Sequence, residues 1–248
     1  MRFFLFLAIV FQCCGLRAEG ALGGSWGVVA GFGGSSFDKQ AHPVQAQPGN
    51  LFSILAGDIP HSIEPGNAGG LGLDADLSWR RVLDLRGEWW WAVRDAKIVD
   101  DLGDGIRRST DFVREVTEAE LLLRLGWPIA VGKQDFFRPL VEGGVFGNRT
   151  LNARQSIGIT GGTSTAEQAW DGVPNEDWGW VVGAGFEKSF FQDRAPLGKG
   201  GPDGAARGHF EVTPGLEVRY AEGQKDLDPK GPNELKSRSW MIILFLGF

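Results

Sequence analysis

Apolar and polar residues alternate with a period of two along much of this chain, the pattern of strands whose two faces meet different surroundings. In 210–220, Phe210, Val212, Pro214, Leu216, Val218 and Tyr220 alternate with Glu211, Thr213, Gly215, Glu217 and Arg219. In 117–131, Ala119, Leu121, Leu123, Leu125, Trp127, Ile129 and Val131 oppose Glu118, Glu120, Arg124 and Gly126. A run of roughly 15 residues exceeds the five or six of an ordinary strand and suits one tilted across a bilayer with an extended outer end.

The same period predicts a first strand with Trp26, Val28, Ala30 and Phe32 on one face, and a second with Leu71, Leu73, Ala75, Leu77 and Trp79 opposite Asp74, Asp76 and Ser78. A tight turn near Arg80-Arg81 leads to a third, where Leu83, Leu85, Trp89, Trp91 and Val93 alternate with Asp84, Arg86, Glu88 and Arg94. Further strands are expected over Phe137 to Gly147, with Pro139, Val141 and Val145 opposite Glu142, and over Trp178 to Phe190. In the latter, Trp178, Trp180, Val182, Ala184 and Phe186 stand opposite Gly183, Gly185 and Glu187. The last strand, Ser239 to Phe248, sets Trp240, Ile242, Leu244, Leu246 and Phe248 on one face, but Met241, Ile243 and Phe245 make its other face apolar too.

The expected fold is therefore all-β: an antiparallel up-and-down transmembrane β-barrel of about eight strands. Ten strands result if Leu51 to Ala56 and Ser156 to Gly161 are recruited. An even number returns both chain ends to one side. Connections near 80–82, 132–136 and 191–207 fall on the periplasmic side, and those near 34–69, 96–112, 148–177 and 221–236 outside. The segment Arg194 to Gly208 is long for a periplasmic turn. A soluble lipocalin-like barrel is the rival fold, with apolar faces inside and charges outside.

The first residues change the picture from strands to export. Arg2, the apolar run Phe3 to Val10 and the small Ala18 predict a signal peptide over 1–18, leaving 19–248 as the barrel domain. That run is too short for a transmembrane helix. Cys13 and Cys14 lie within the leader, and Phe11-Gln12 fits poorly with the small residues that precede a lipoprotein cysteine. The remaining chain has no cysteine, so neither disulfides nor thiolate metal sites hold it. Loss of Arg2 and Arg17 makes the formal net charge of −6 two units more negative, which argues against nucleic acid as a partner. The chain has 10 Trp but a single Tyr. Trp79, Trp89 to Trp91, Trp127, Trp178 and Trp180 are expected to form an interfacial girdle.

The segments DFFRPLVEGGVFG (135–147), NEDWGWVVGAGFEK (175–188), LEVRY (216–220) and SWMIILFLGF (239–248) resemble the small eight-stranded bacterial outer-membrane barrels. This group includes OmpA-like, OmpX-like and, more distantly, lipid A 3-O-deacylase barrels, and the likeness covers roughly 112–248. It implies a bacterial outer-membrane location, outer-membrane lipid as surroundings and a C-terminal strand read by the barrel assembly machinery. It specifies architecture rather than activity. The deacylase branch implies a Ser-His pair near the outer end of the seventh strand, where this chain reads VRYAEG and places Tyr220 and Ala221. None of His42, His61 and His209 has a serine two residues on, and Ser62 adjoins His61 in a different spacing.

Inward-facing Asp74, Asp76, Asp84, Glu88, Glu118, Glu120, Glu142, Glu187, Glu211 and Glu217 outnumber Arg86, Arg94, Arg124 and Arg219. An eight-stranded interior is just wide enough for side chains, so a plug of ion pairs is expected. If it conducts at all, the acidic excess favours cations. Asp100, Asp101 and Asp104 in VDDLGDG lack the spacing and closing Glu of a calcium loop. Asn148 to Thr150 formally matches a glycosylation acceptor, which means little in a bacterial chain. LFSILAGDIP (51–60) is apolar enough to cover the barrel mouth or meet a partner. No catalytic, cofactor-binding or metal-ligating residue is assigned, and no extracellular ligand is specified. The expected role is non-enzymatic, in envelope structure or surface interaction through outer loops; a lipid A-modifying hydrolase and a narrow cation-preferring pore are the alternatives. Removing Phe248 should lower surface levels of the protein more than it impairs folding in detergent, as read by surface proteolysis and gel mobility. Normal surface levels would refute a targeting use of that residue.

Overall fold

The computed structural model describes residues 22–41, 61–101, 104–131, 135–160, 166–170, 172–193, 209–227 and 233–248. Eight long strands are β1 (Leu22–Ala41), β2 (His61–Trp79), β3 (Leu83–Asp101), β4 (Arg107–Gly126), β6 (Phe136–Ile159), β8 (Glu176–Asp193), β9 (His209–Gly223) and β10 (Asn233–Gly247). Two short elements, β5 (Ile129–Ala130) and β7 (Gln168–Ala169), pair only with β6. Each long strand runs antiparallel to the next in chain order, β4 pairs with β6, and β10 returns to β1 from Gly27↔Gly247 to Ala41↔Asn233. The sheet is thereby a closed ring of eight. At the seam the Phe248 N–H donates to the Trp26 carbonyl at 2.7 Å, and the two rings lie 5.2 Å apart.

Side chains segregate as the alternation predicts. Trp26, Phe32, Leu71, Leu73, Leu123, Val145, Trp178, Val218 and Leu244 are exposed on the outside, Leu71 at 63%, whereas Arg86, Glu88, Arg124, Glu142, Glu217 and Arg219 are buried within, Arg86 at 0%. This inverts a soluble barrel and excludes the lipocalin-like alternative. Such a belt is stable only against hydrocarbon, and in hydrocarbon the closed ring alone leaves no strand edge unpaired. On β10, Met241, Ile243 and Phe245 turn inward and are buried, so the strand with the weakest alternation supplies apolar filling to the lumen.

Several boundaries differ from the sequence reading. The run 117–131 is not one strand: β4 stops at Gly126, because Pro128 has no N–H to continue the ladder, and β5 folds back on Phe136 and Phe137. The long strands also extend well into the segments read as outer loops, since pairing continues to Ala41, Asp101, Ile159 and Gly223. Ser156 lies within β6 rather than in a ninth strand, which removes half of the ten-stranded count; Leu51 to Ala56 and all of 51–60 lie outside the described residues. Register shifts at Pro65/Ala68 and at Glu115/Val116 mark where the membrane section gives way to this extension, bulges being common at barrel rims.

Inward glycines allow the large side chains to fit. A Cβ on Gly215 would lie 1.9 Å from the Phe245 ring, which is itself held under Arg86 at 4.5 Å and Arg124 at 5.2 Å. Gly215→Ala should therefore lower stability by about 1–3 kcal/mol in urea unfolding from lipid vesicles. Gly87→Ala, with nothing within 4 Å of its added carbon, should leave the midpoint unchanged.

Candidate functional site

The interior is a stack of layers, and its lower part is ionic. Arg86 reaches Asp74 at 2.7 Å, Glu88 at 2.9 Å and Glu217 at 3.2 Å. Arg124 donates to Glu217 at 2.6 Å and to Glu187 at 3.2 Å. Arg138 bridges Asp84 at 2.5 Å and Glu187 at 2.8 Å. Arg219 engages Glu88, Glu217 at 2.6 Å, Glu120 at 3.0 Å and, most closely, Glu142. Glu217 thus takes bonds from three guanidiniums, Arg86 on β3, Arg124 on β4 and Arg219 on its own strand β9. Each guanidinium presents five donors in a plane, and this geometry lets one arginine satisfy carboxylates from several strands.

Beside and above this network, two apolar groups narrow the lumen: Val29, Ala68, Trp90, Met241, Ile243 and Phe245 on one side, Leu122, Phe146, Val181 and Ala221 on the other. A cavity of about 10 Å³ remains between Trp90, Glu118, Glu120, Arg219 and Ser239, room for about one water. Higher still, Arg94 donates to both oxygens of Glu118 at 2.7 and 2.9 Å. Asn148 accepts from Arg114 at 2.5 Å and donates to Glu118 at 3.3 Å. Asp177 takes the Ser237 hydroxyl at 2.9 Å and the Lys225 N–H at 3.1 Å, tying β8 to the β9–β10 connection.

The outer mouth is closed by a third apolar group. Phe112, Trp170, Leu227 and Leu235 are buried together, with Phe37, Ile98, Ala153 and Val173 against them. The Phe112 and Trp170 rings lie 4.4 Å apart, and Phe37 meets Phe112 edge-on at 5.6 Å. Trp170 and Leu227 belong to connections, not long strands, and backbone bonds to Ala153 and Leu235 hold them in place. Around this mouth the outward faces of the strands carry exposed charges alongside exposed Leu151 and Ile159: Lys97 faces Glu64 at 3.8 Å, and Arg154 reaches Glu167 at 3.1 Å.

Most inward charges read from sequence meet here: Asp74, Asp76, Asp84, Glu88, Glu118, Glu120, Glu142, Glu187 and Glu217, with Arg86, Arg94, Arg124 and Arg219. The side chain of Glu211 lies outside the described residues. Arg114 and Arg138 were missed, though Arg138 shares the parity of Glu142, so the lumen holds more cation than the sequence reading assigned. Trp90 departs from the expected girdle. Its neighbours Trp89 and Trp91 face outward, so period two turns Trp90 into the lumen, where its N–H donates to Glu88 at 2.8 Å. Tyr220 packs against Trp180 with the rings tilted and 5.4 Å apart and donates to Glu222 at 2.9 Å, while Ala221 points into the lumen. His61 and His209 begin β2 and β9 at opposite ends of the barrel; His42 lies outside the described residues. Asp100, from the acidic loop motif, binds Arg108 at 2.6 Å.

Breaking a buried network by removing one member leaves charges without partners. Arg219→Met should cost about 3–5 kcal/mol in vesicle unfolding, because four carboxylates lose a donor. Lys97→Met at the exposed pair with Glu64 should change stability by less than about 1 kcal/mol. Equal effects at the two sites would contradict a structural role for the network.

No protein-family model matches the chain, and no curated protein sequence matches it. Among solved structures it is similar to the attachment invasion locus protein Ail of Yersinia pestis, at 12% identity over 91% of this chain and 99% of that one, with a TM-score of 0.31. It is also similar to Neisserial surface protein A, at 13% identity over 91% and 99% of the two chains with a TM-score of 0.36. The outer membrane protein OprG of Pseudomonas aeruginosa shows 14% identity over 92% and 96%, with a TM-score of 0.35. The chain's own geometry, an eight-stranded ring with charges inside and an apolar belt outside, makes it a barrel of the small outer-membrane type.

Proposed function

We propose that this protein is a non-conducting, non-enzymatic barrel that contributes to envelope structure and presents its extracellular wall as an interaction surface. The observation that carries this reading is the filled lumen. An ion crossing the barrel would have to part the network around Glu217 and Arg219, the constriction at Trp90 and Phe146, and the closure at Phe112 and Trp170. Each layer is packed or ion-paired, so an ion would have to displace several of these side chains in turn.

The wall supports the second half of the proposal. From Trp91, the last exposed aromatic residue of β3, the strand continues ten residues to Asp101, a rise of roughly 25 Å at the usual tilt. β4 and β6 accompany it, and their outward residues include Asp111, Glu115, Arg149 and Arg154. A hydrogen-bonded wall of this kind holds polar side chains in fixed positions above the lipid, as an interaction surface requires. In the same reading, residues 1–18 are a leader removed on export, and β10 is the strand delivered to the assembly machinery.

Planar bilayers containing the purified protein should show no discrete conductance steps in either polarity. Reproducible steps would overturn the closed-lumen reading, and their ion selectivity would then report which charges line the path.

A further inference from the structure

At the short-turn end, several cations stand outside the lumen network. Arg80 and Arg81 join β2 to β3, both with positive φ, 53° and 57°, and the Val82 N–H donates back to the Trp79 carbonyl at 3.1 Å. Two left-handed central residues make a type I′ hairpin turn, for which Asn-Gly is the low-strain choice; a residue with a long side chain bears the Cβ clash at each position. The turn carries the Arg80 guanidinium over the Trp79 ring at 5.2 Å and the Arg81 guanidinium over Phe136 at 4.7 Å. The pairing recurs on β8, where the Lys188 ammonium lies 4.5 Å from the Phe190 ring centre.

Trp79 and Phe190 both face outward and are exposed, so these rings belong to the belt that hydrocarbon covers. A cation held on such a ring sits where the belt ends and headgroups begin. Any occupant must set apolar chains against the rings and a negative group against the cations. A phospholipid with a net negative headgroup has that form, whereas a soluble anion has no chains to cover Trp79 and Phe190.

We infer that Arg80 and Lys188, each poised over a lipid-facing aromatic ring, dock the phosphates of anionic phospholipids in the leaflet on the short-turn side, with Arg81 reinforcing the field at the hairpin. The inference rests on the barrel being embedded in a membrane but not on its lumen being closed.

The test uses the full barrel in vesicles of phosphatidylcholine alone or with one third phosphatidylglycerol, at low ionic strength, with insertion verified separately by protease protection. Urea unfolding should become about fivefold less favourable per docked cation when phosphatidylglycerol is present, and about 1 M salt should abolish the gain. Arg80→Asn with Arg81→Gly should lose most of this increment while unfolding no more readily than the parent in pure phosphatidylcholine, because the turn is relieved. Lys188→Gln should lose its own share with the turn intact. Retention of the full increment in these variants, or no increment in the parent, would overturn the proposal. So would reproduction of the gain by inorganic phosphate in phosphatidylcholine vesicles. Failure of protease protection in the parent would instead strike at membrane embedding itself.

Discussion

Every other feature of this molecule depends on closure of the backbone ladder. In hydrocarbon an unpaired N–H or C=O costs several kcal/mol, and a sheet with a free edge exposes a row of them. The pairing of β1 with β10, sealed by the bond from Phe248 to Trp26, removes that edge. With eight strands the circumference is set, and the interior that results is too narrow for a water column and wide enough only for side chains. What fills the lumen is therefore a packing problem before it is a functional one.

The packing solution uses charge where a soluble core would use apolar bulk, since the outward face must be apolar. Alternate residues on a strand are then free to be polar, and export through an aqueous compartment favours a chain of modest mean hydropathy. Buried carboxylates and guanidiniums are costly to desolvate and add little net stability against an apolar replacement. Their geometry does something else. Arg86, Arg124 and Arg219 converge on Glu217, so carboxylates from β2, β3, β6, β8 and β9 are tied into one structure that only the correct register can form. The apolar groups narrow the passage between this network and the polar group at Arg94, Glu118 and Asn148, which meets Arg219 at one small cavity, and the mouth residues lie between both and the outside.

Closure of the lumen transfers the capacity for interaction to the surfaces. On one side the strands rise beyond the belt as a polar wall, and on the other the belt ends in cations seated on aromatic rings. The two ends thus have different chemistry, in keeping with a membrane whose two faces differ.

The sequence by itself determined the strand period, an even number of strands and which residues share a face, because a side chain's face follows from counting by two; the structure chose eight over ten and put the apolar face outward. Thus Glu217 and Arg219 were legible as sharing one face, and Val218 as lying on the other, without coordinates. Trp90 was legible in principle by the same count, but grouping it with its two neighbours by residue type obscured its parity. The tertiary structure alone decided which carboxylate meets which guanidinium, since Arg219 and Glu88 are brought together by ring closure across 131 positions of chain. It also decided how far the strands continue past the membrane, because a polar wall carries no apolar alternation to read. The closing of the mouth by Trp170 and Leu227 belongs to the same class: two isolated apolar residues in polar connections acquire a role only when β6 and β10 bring their partners Ala153 and Leu235 beneath them.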